Sequence, residues 1–115
     1  MGYSINSEVK IKTIPISLIR GDTLRLQIEI YVDNEIYTPQ EGDVIRFAMK
    51  QDYSSPKTLI RKIIPNDTLI LHLEPEDTKN LIFGKSYVYD IEITFANGDV
   101  NTFIKGVIKI EPEVE

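Results

Sequence analysis

The chain has 115 residues, 42% of them hydrophobic and 27% charged, with a formal net charge of −5, one histidine and no cysteine. That is enough for one core, and it argues against disorder, disulfide stapling, thiol catalysis and cysteine-bound zinc. No apolar run exceeds three residues, as in Leu69-Ile70-Leu71, so nothing is long enough for a membrane helix, and thirteen basic residues scattered through an acidic chain argue against a nucleic-acid partner.

In chain order, the opening "MGYSINSEVK" lacks an apolar stretch and a small-residue cleavage site, so no signal peptide is expected. Met1-Gly2 starts like a myristoylation site, but Asn6 stands where a hydroxyl residue is required. "VKIKTIPISL" alternates and is broken by Pro15, which predicts an edge strand or two short pieces. Arg20-Gly21-Asp22 then has two readings, an adhesive tripeptide or a turn. Its place between Leu18 and Leu24, directly before an alternating run, favours the turn: Gly21 accepts a positive φ and Asp22 bonds the backbone beyond it.

The run "TLRLQIEIYVD" puts Leu24, Leu26, Ile28, Ile30 and Val32 on one face of a half-buried strand, with Arg25, Gln27, Glu29 and Tyr31 on the other. After a turn at Asp33-Asn34 and another across residues 39–43, "VIRFAMKQ" sends Ile45, Phe47 and Met49 inward. "TLIRKII" and "TLILHLE" follow, separated by a turn at residues 65–67. In the second, Leu69, Leu71 and Leu73 face in, while Ile70 and His72 face out. "EPEDTKNLIFG" reads as a short helical turn near residues 75–81, with Pro75, Glu76 and Asp77 in its first turn and Gly84 at its exit.

The last unit is the best defined. Two alternating runs flank Asn97-Gly98, a hairpin signal because both residues tolerate positive φ. A two-residue turn there sets Phe95 against Val100, Ile93 against Thr102 and Ile91 against Ile104. It also sets Tyr89 against Gly106, where the missing side chain leaves room for the ring, and Asp90 against Lys105 as an ion pair. The tail "EPEVE" is expected to be solvated. About seven short strands at this spacing predict one domain, residues 1–115 with a core over about 9–111, folded as an all-β antiparallel sandwich.

Candidate chemistry is sparse. His72, on the outer face of a strand, has Glu74 on its face and no other partner nearby in sequence. Glu74, Glu76 and Asp77 lack the spacing of a calcium loop and suit a helix start instead. Asn66-Asp67-Thr68 matches a glycosylation sequon but is also ordinary turn chemistry. No nucleophile elbow or phosphate loop is present. No catalytic residue, metal, cofactor or small-molecule substrate is expected, and the chain is read as a non-enzyme. Tyrosine is the enriched aromatic. By alternation Tyr87 and Tyr89 point inward, whereas Tyr31, Tyr37 and Tyr53 are candidates for a contact surface on protein or sugar.

The segment that enters the hairpin, "EPEDTKNLIFGKSYVYDIEITF", resembles the approach to strand F of immunoglobulin-like domains. There a tyrosine near the strand's start forms the tyrosine corner; Tyr87 is the better placed and Tyr89 the alternative. Together with "RGDTLRLQIEI", "VIRFAMK" and the closing "GVIKIEPEV", it resembles a family of small bacteriophage and prophage immunoglobulin-like domains, similar to the N-terminal part of phage baseplate upper proteins. The resemblance spans about residues 14–114 and carries no catalytic residues. It implies a structural or assembly domain of a tail or baseplate. Such a domain would contact other phage proteins or itself, and be virion-associated or cytoplasmic before assembly. The alternative is a glycan- or cell-surface-binding module used in host attachment.

Overall fold

The computed structural model describes residues 12–82 and 84–113. In order, the elements are β1 (Lys12–Thr13), β2 (Ile16–Ile19), β3 (Leu24–Gln27), β4 (Tyr31–Val32), β5 (Glu35–Ile36) and β6 (Val44–Lys50). There follow β7 (Thr58–Ile64), β8 (Ile70–Leu73), the single helical turn α1 (Pro75–Thr78), β9 (Ser86–Thr94) and β10 (Val100–Glu111).

The main sheet runs β1-β10-β9-β6-β7, with β2 also on β10; β3 and β8 form a second layer, and β4 and β5 a short hairpin. The β1 and β2 pairings with β10 are parallel, and every other ladder is antiparallel. Consecutive segments thus divide between layers: β3 and β8 on one side, β6, β9 and β10 on the other. This is how immunoglobulin-like sandwiches assign strands B and E against C, F and G, with β7 beside β6 in the position of an added C′ strand. The chain is an all-β, immunoglobulin-like sandwich.

Alternation builds the core as expected. Ile45, Phe47, Met49, Ile91, Ile93, Leu71 and Leu73 are all essentially inaccessible, each such burial contributing about 1.5–3 kcal/mol. Phe47 lies 5.7 Å from the Tyr89 ring, centre to centre. Pro15, which has no N–H for the ladder, separates β1 from β2.

Four expectations need correction. The run over residues 24–32 is not one strand: the β3–β8 ladder ends at the Gln27–Ile70 pair. Ile28 and Ile30 remain buried, yet the chain peels off into β4–β5, turned by Asp33 and Asn34 at φ 54° and 67°. Two successive left-handed residues make a type I′ turn, whose twist closes a local hairpin. Leu69 lies outside β8 with φ 55°, and its N–H donates to Pro65 O at 2.9 Å, so the 65–68 turn claims it. The helix stops at Thr78; the left-handed Gly84 lies beyond it, its N–H bonding Ile110 O at 2.7 Å.

The final hairpin is also one residue off at its tip. Gly98 N donates to Phe95 O and Phe95 N to Asp99 O, both at 2.8 Å, and only Gly98 of the Asn97-Gly98 pair has positive φ. The loop is therefore three residues long, a type I turn closed by a left-handed glycine. Val100 consequently opposes Thr94, and Thr102 opposes Glu92. A bulge between Thr102 and Ile104 then returns the ladder to the expected register, with Ile104 on Ile91, Lys105 on Asp90 and Gly106 on Tyr89. The bulge leaves Phe103 and Ile104 both buried, so a core aromatic is gained where strict alternation puts one out. The Asp90 carboxylate turns away from Lys105 to Arg46.

Candidate functional site

The six tyrosines do very different things. Tyr3 lies outside the described residues. Tyr87 and Tyr89 are buried. The Tyr87 hydroxyl accepts the Ile82 N–H at 3.0 Å, a contact to backbone five residues upstream, which is the geometry of a tyrosine corner. The Tyr89 hydroxyl donates to Ile14 O at 2.6 Å. That bond passes over Gly106, where a Cβ would stand 2.2 Å from Ile14 O and 3.2 Å from Tyr89 Cε1. Glycine there makes room less for the ring than for the neighbouring backbone. Burial pushes the Tyr89 phenol up to about 12, with a smaller contribution from Tyr53.

Tyr31, Tyr37 and Tyr53 do not form one surface. Tyr31 opens β4, and its hydroxyl lies 3.4 Å from Glu29 Oε1. Tyr37 follows β5, packs edge-on against Phe95 and donates its hydroxyl to Asp43 Oδ2. Tyr53 is 62% exposed in the loop after β6. Since Asp43 precedes β6 and Tyr53 follows it, the length of that strand, on the order of 20 Å at about 3.3 Å per residue, separates Tyr37 from Tyr53.

Asp43 is the residue that sequence reading missed. It is buried, and its carboxylate accepts the Tyr37 hydroxyl, the Gln40 N–H at 2.8 Å and the Ala96 N–H at 2.9 Å. Two chain segments, the loop over residues 37–43 and the turn after β9, meet on one side chain. Beside it opens a cleft of about 470 Å³ lined by Ile36, Tyr37, Thr38, Phe95 and Asn97. With both carboxylate oxygens accepting from this chain, Asp43 fastens the loops at that end. Its only local signal is a buried aspartate directly after the left-handed Gly42.

Arg20-Gly21-Asp22 is a turn. Asp22 N–H donates to Ile19 O at 3.0 Å, Gly21 sits at φ 85°, and Gly21 N–H donates to the wholly buried Thr78 hydroxyl at 3.0 Å. The Arg20 guanidinium clasps Glu113, which holds that carboxyl below its ordinary range, and also reaches Leu81 O.

Two surface regions remain. On the outer face of the main sheet Arg46 bridges Asp90 at 3.3 Å and Glu92 at 2.9 Å. The Glu92 hydrogen bond holds the guanidinium above its ordinary value. This network, with Lys50, Tyr53 and Arg61, lines a depression of about 450 Å³. The second region is the flank where the two layers end. Among the described residues β7 pairs only with β6, and β8 only with β3. Between them a cleft of about 350 Å³ is lined by Arg25, Lys62, Ile63, Ile70 and His72. Lys62 also pairs with Asp77 at 3.0 Å. Among the described residues no group of three or more His, Asp or Glu side chains is placed to hold a metal ion, and no helix is long and apolar enough to cross a membrane.

No family model matches the sequence, and no curated protein matches it. Among solved structures, the chain is similar over 98% of its length to part of the Bacteroides ovatus mixed-linkage glucan utilization locus protein SGBP-B, solved with a heptasaccharide, at 9% identity and a TM-score of 0.48. It spans only 26% of that protein. Murine CRIg is similar over 94% of this chain and 98% of its own, at 10% identity and a TM-score of 0.38. The PKD domain of human KIAA0319 is similar over 97% and 91%, at 15% identity and a TM-score of 0.37.

Proposed function

We propose that this chain is a non-catalytic assembly module that works through protein–protein contacts, as the resemblance to bacteriophage baseplate and tail domains implies. One observation supports the reading most: the edge strand β7 is seven residues long and carries an Ile63 that is 64% exposed. An unpaired edge is a template for another strand, and free-standing proteins usually shorten, cover or bend theirs. Leu59 on the same face of β7 is also exposed, as is Val44 on β6. An assembly that uses this flank buries at least about 1,000 Å² in total.

The decisive experiment is mass spectrometry of particles sedimented from producing cells after prophage induction. The chain is expected to co-sediment in fixed ratio to tail components. Its absence from every particle, with the purified protein monomeric and partnerless, sinks the reading.

A second reading, a glycan-binding module, is favoured by one placement: Tyr53 at the rim of a depression that also offers Lys50, Arg61, Asp90 and Glu92. An aromatic face beside polar groups suits a sugar ring. Glycan-array binding lost in Tyr53→Ala but retained in Tyr31→Ala is the result that supports it.

A further inference from the structure

The charge of this chain is unevenly placed. Between Val44 and Ile64 stand five basic residues, Arg46, Lys50, Lys57, Arg61 and Lys62, against one acidic residue, Asp52, in a chain whose formal net charge is −5. Arg46 is bound by Asp90 and Glu92 and Lys62 by Asp77, so the surplus that the β6–β7 hairpin presents on this acidic protein is carried by Lys50, Lys57 and Arg61. Arg61 and Lys57 are exposed and form no ion pair among the described residues. Along β7, Leu59, Arg61 and Ile63 are all exposed and alternate with Lys62, and Lys62 and Ile63 both border the cleft that Arg25 and His72 also line. Arg25 and His72 are themselves neighbours in the β3–β8 ladder. Cationic side chains thus stand on both sides of a line of main chain that is unpaired among the described residues.

We propose that this flank is a strand-addition site for an extended acidic segment of a partner protein, which pairs with β7 and sets a carboxylate against Arg61 between two apolar side chains. The proposal rests on the assembly reading above and names the partner's chemistry. Main-chain bonds along the edge give such a complex its register, and alternate side chains give it specificity. Cross-strand neighbours of opposite charge attract and like charges repel. That rule also selects the occupant: a second copy paired about the middle of β7 sets Arg61 against Arg61, whereas an acidic strand meets a complementary row. The cleft of about 350 Å³ between β7 and β8 receives the segment's other face, where Arg25 offers a charged donor beside Lys62, itself paired with Asp77.

The test uses the whole chain and a capped heptapeptide with a central glutamate, valines two positions to either side of it, and threonines elsewhere. Amide shifts in the NMR spectrum are expected along β7 and the adjoining β8. Arg61→Glu, an exposed change that leaves the spectrum folded, is expected to weaken binding at least about tenfold, as loss of a charge-assisted contact does. A peptide with central lysine is expected to bind Arg61→Glu better than it binds the native chain. No binding, shifts elsewhere, or equal binding of both peptides overturns the proposal. So does a concentration-dependent dimer whose shifts fall on β7 without peptide, which assigns the edge to a second copy. Particles that retain the Arg61→Glu chain overturn this inference and leave the assembly reading standing; a native chain found in no particle overturns that reading, whatever the peptide does.

Discussion

The two flanks of the main sheet are finished in opposite ways. On one, β10 is covered: β1 and β2 pair along it, Arg20 N–H and Gly84 N–H bond its last carbonyls, and Tyr89 reaches across Gly106 to Ile14 O. On the other, among the described residues, β7 ends the sheet with only β6 beside it, and β8 ends the second layer with only β3. The same chain closes one margin with turns, a glycine and two tyrosine hydroxyls, and leaves the other with exposed isoleucine, leucine and arginine. The first flank is fastened by bonds to neighbouring segments, and the second is the one proposed for recognition.

Substitutions can break that contrast or sharpen it. The largest effect is expected from Gly106→Val: its Cβ collides with backbone at Ile14 rather than with a yielding side chain, and a cost of about 3 kcal/mol in urea denaturation follows from overpacking. Asp43→Ala comes next. It strands the Tyr37 hydroxyl and the Gln40 and Ala96 N–H groups, and about 2 kcal/mol is expected from a buried bond network that loses its acceptor. Full stability in that variant would show that water replaces the carboxylate at that end.

Tyr89→Phe removes one hydrogen bond on the covered flank, worth about 1 kcal/mol. It also has a signature in base. Because the folded phenol titrates near 12 rather than 10, the native protein holds its proton more tightly than the unfolded chain. That contribution is complete below pH 10 and is lost as pH rises from 10 to 12. Stability curves against pH should therefore fall in this window for the native chain and fall less steeply for the variant. Smallest of all is Ile63→Thr on the open flank, expected to change stability by less than about 0.5 kcal/mol, as an exposed site does, while weakening any complex formed there. A loss comparable to that of Gly106→Val would mean that the open flank is structural after all.

Much of this was legible in the sequence where the signal was periodic. Ile45, Phe47, Met49, Ile91 and Ile93 fell inside because alternation on a half-buried sheet has only two outcomes. What went unread was decided by distant partners. Asn97-Gly98 permits a two-residue or a three-residue loop; the structure adopts the longer, with the Ala96 N–H held by Asp43, 53 residues away. The one-residue slip and its repair by the bulge at Phe103 are invisible to a local pattern. The run over residues 24–32 kept its alternation but lost its ladder, because Asp33-Asn34 closes a nearer hairpin. Alternation marks Tyr31 as outward and loop placement marks Tyr37 and Tyr53, and neither can say that Tyr37 spends its hydroxyl on Asp43 or that Tyr53 sits a strand length away. The basic flank was half legible: the surplus over residues 44–64 stands in the sequence, whereas Arg25 and His72 join it only through the sandwich.

The parallel pairing of β2 with β10, Ile16 beside Ile108 and Ile19 beside Glu111, has a mechanical consequence. Tension applied from outside through residues before β2 and after β10 draws these neighbours past one another along their own axes. The bonds between them then bear load in shear and give way together, where an antiparallel pair pulled from its open end unzips one rung at a time. A domain pulled in this direction behaves as a stiff link, resisting stretch through that parallel seam while β7 lies outside the line of force.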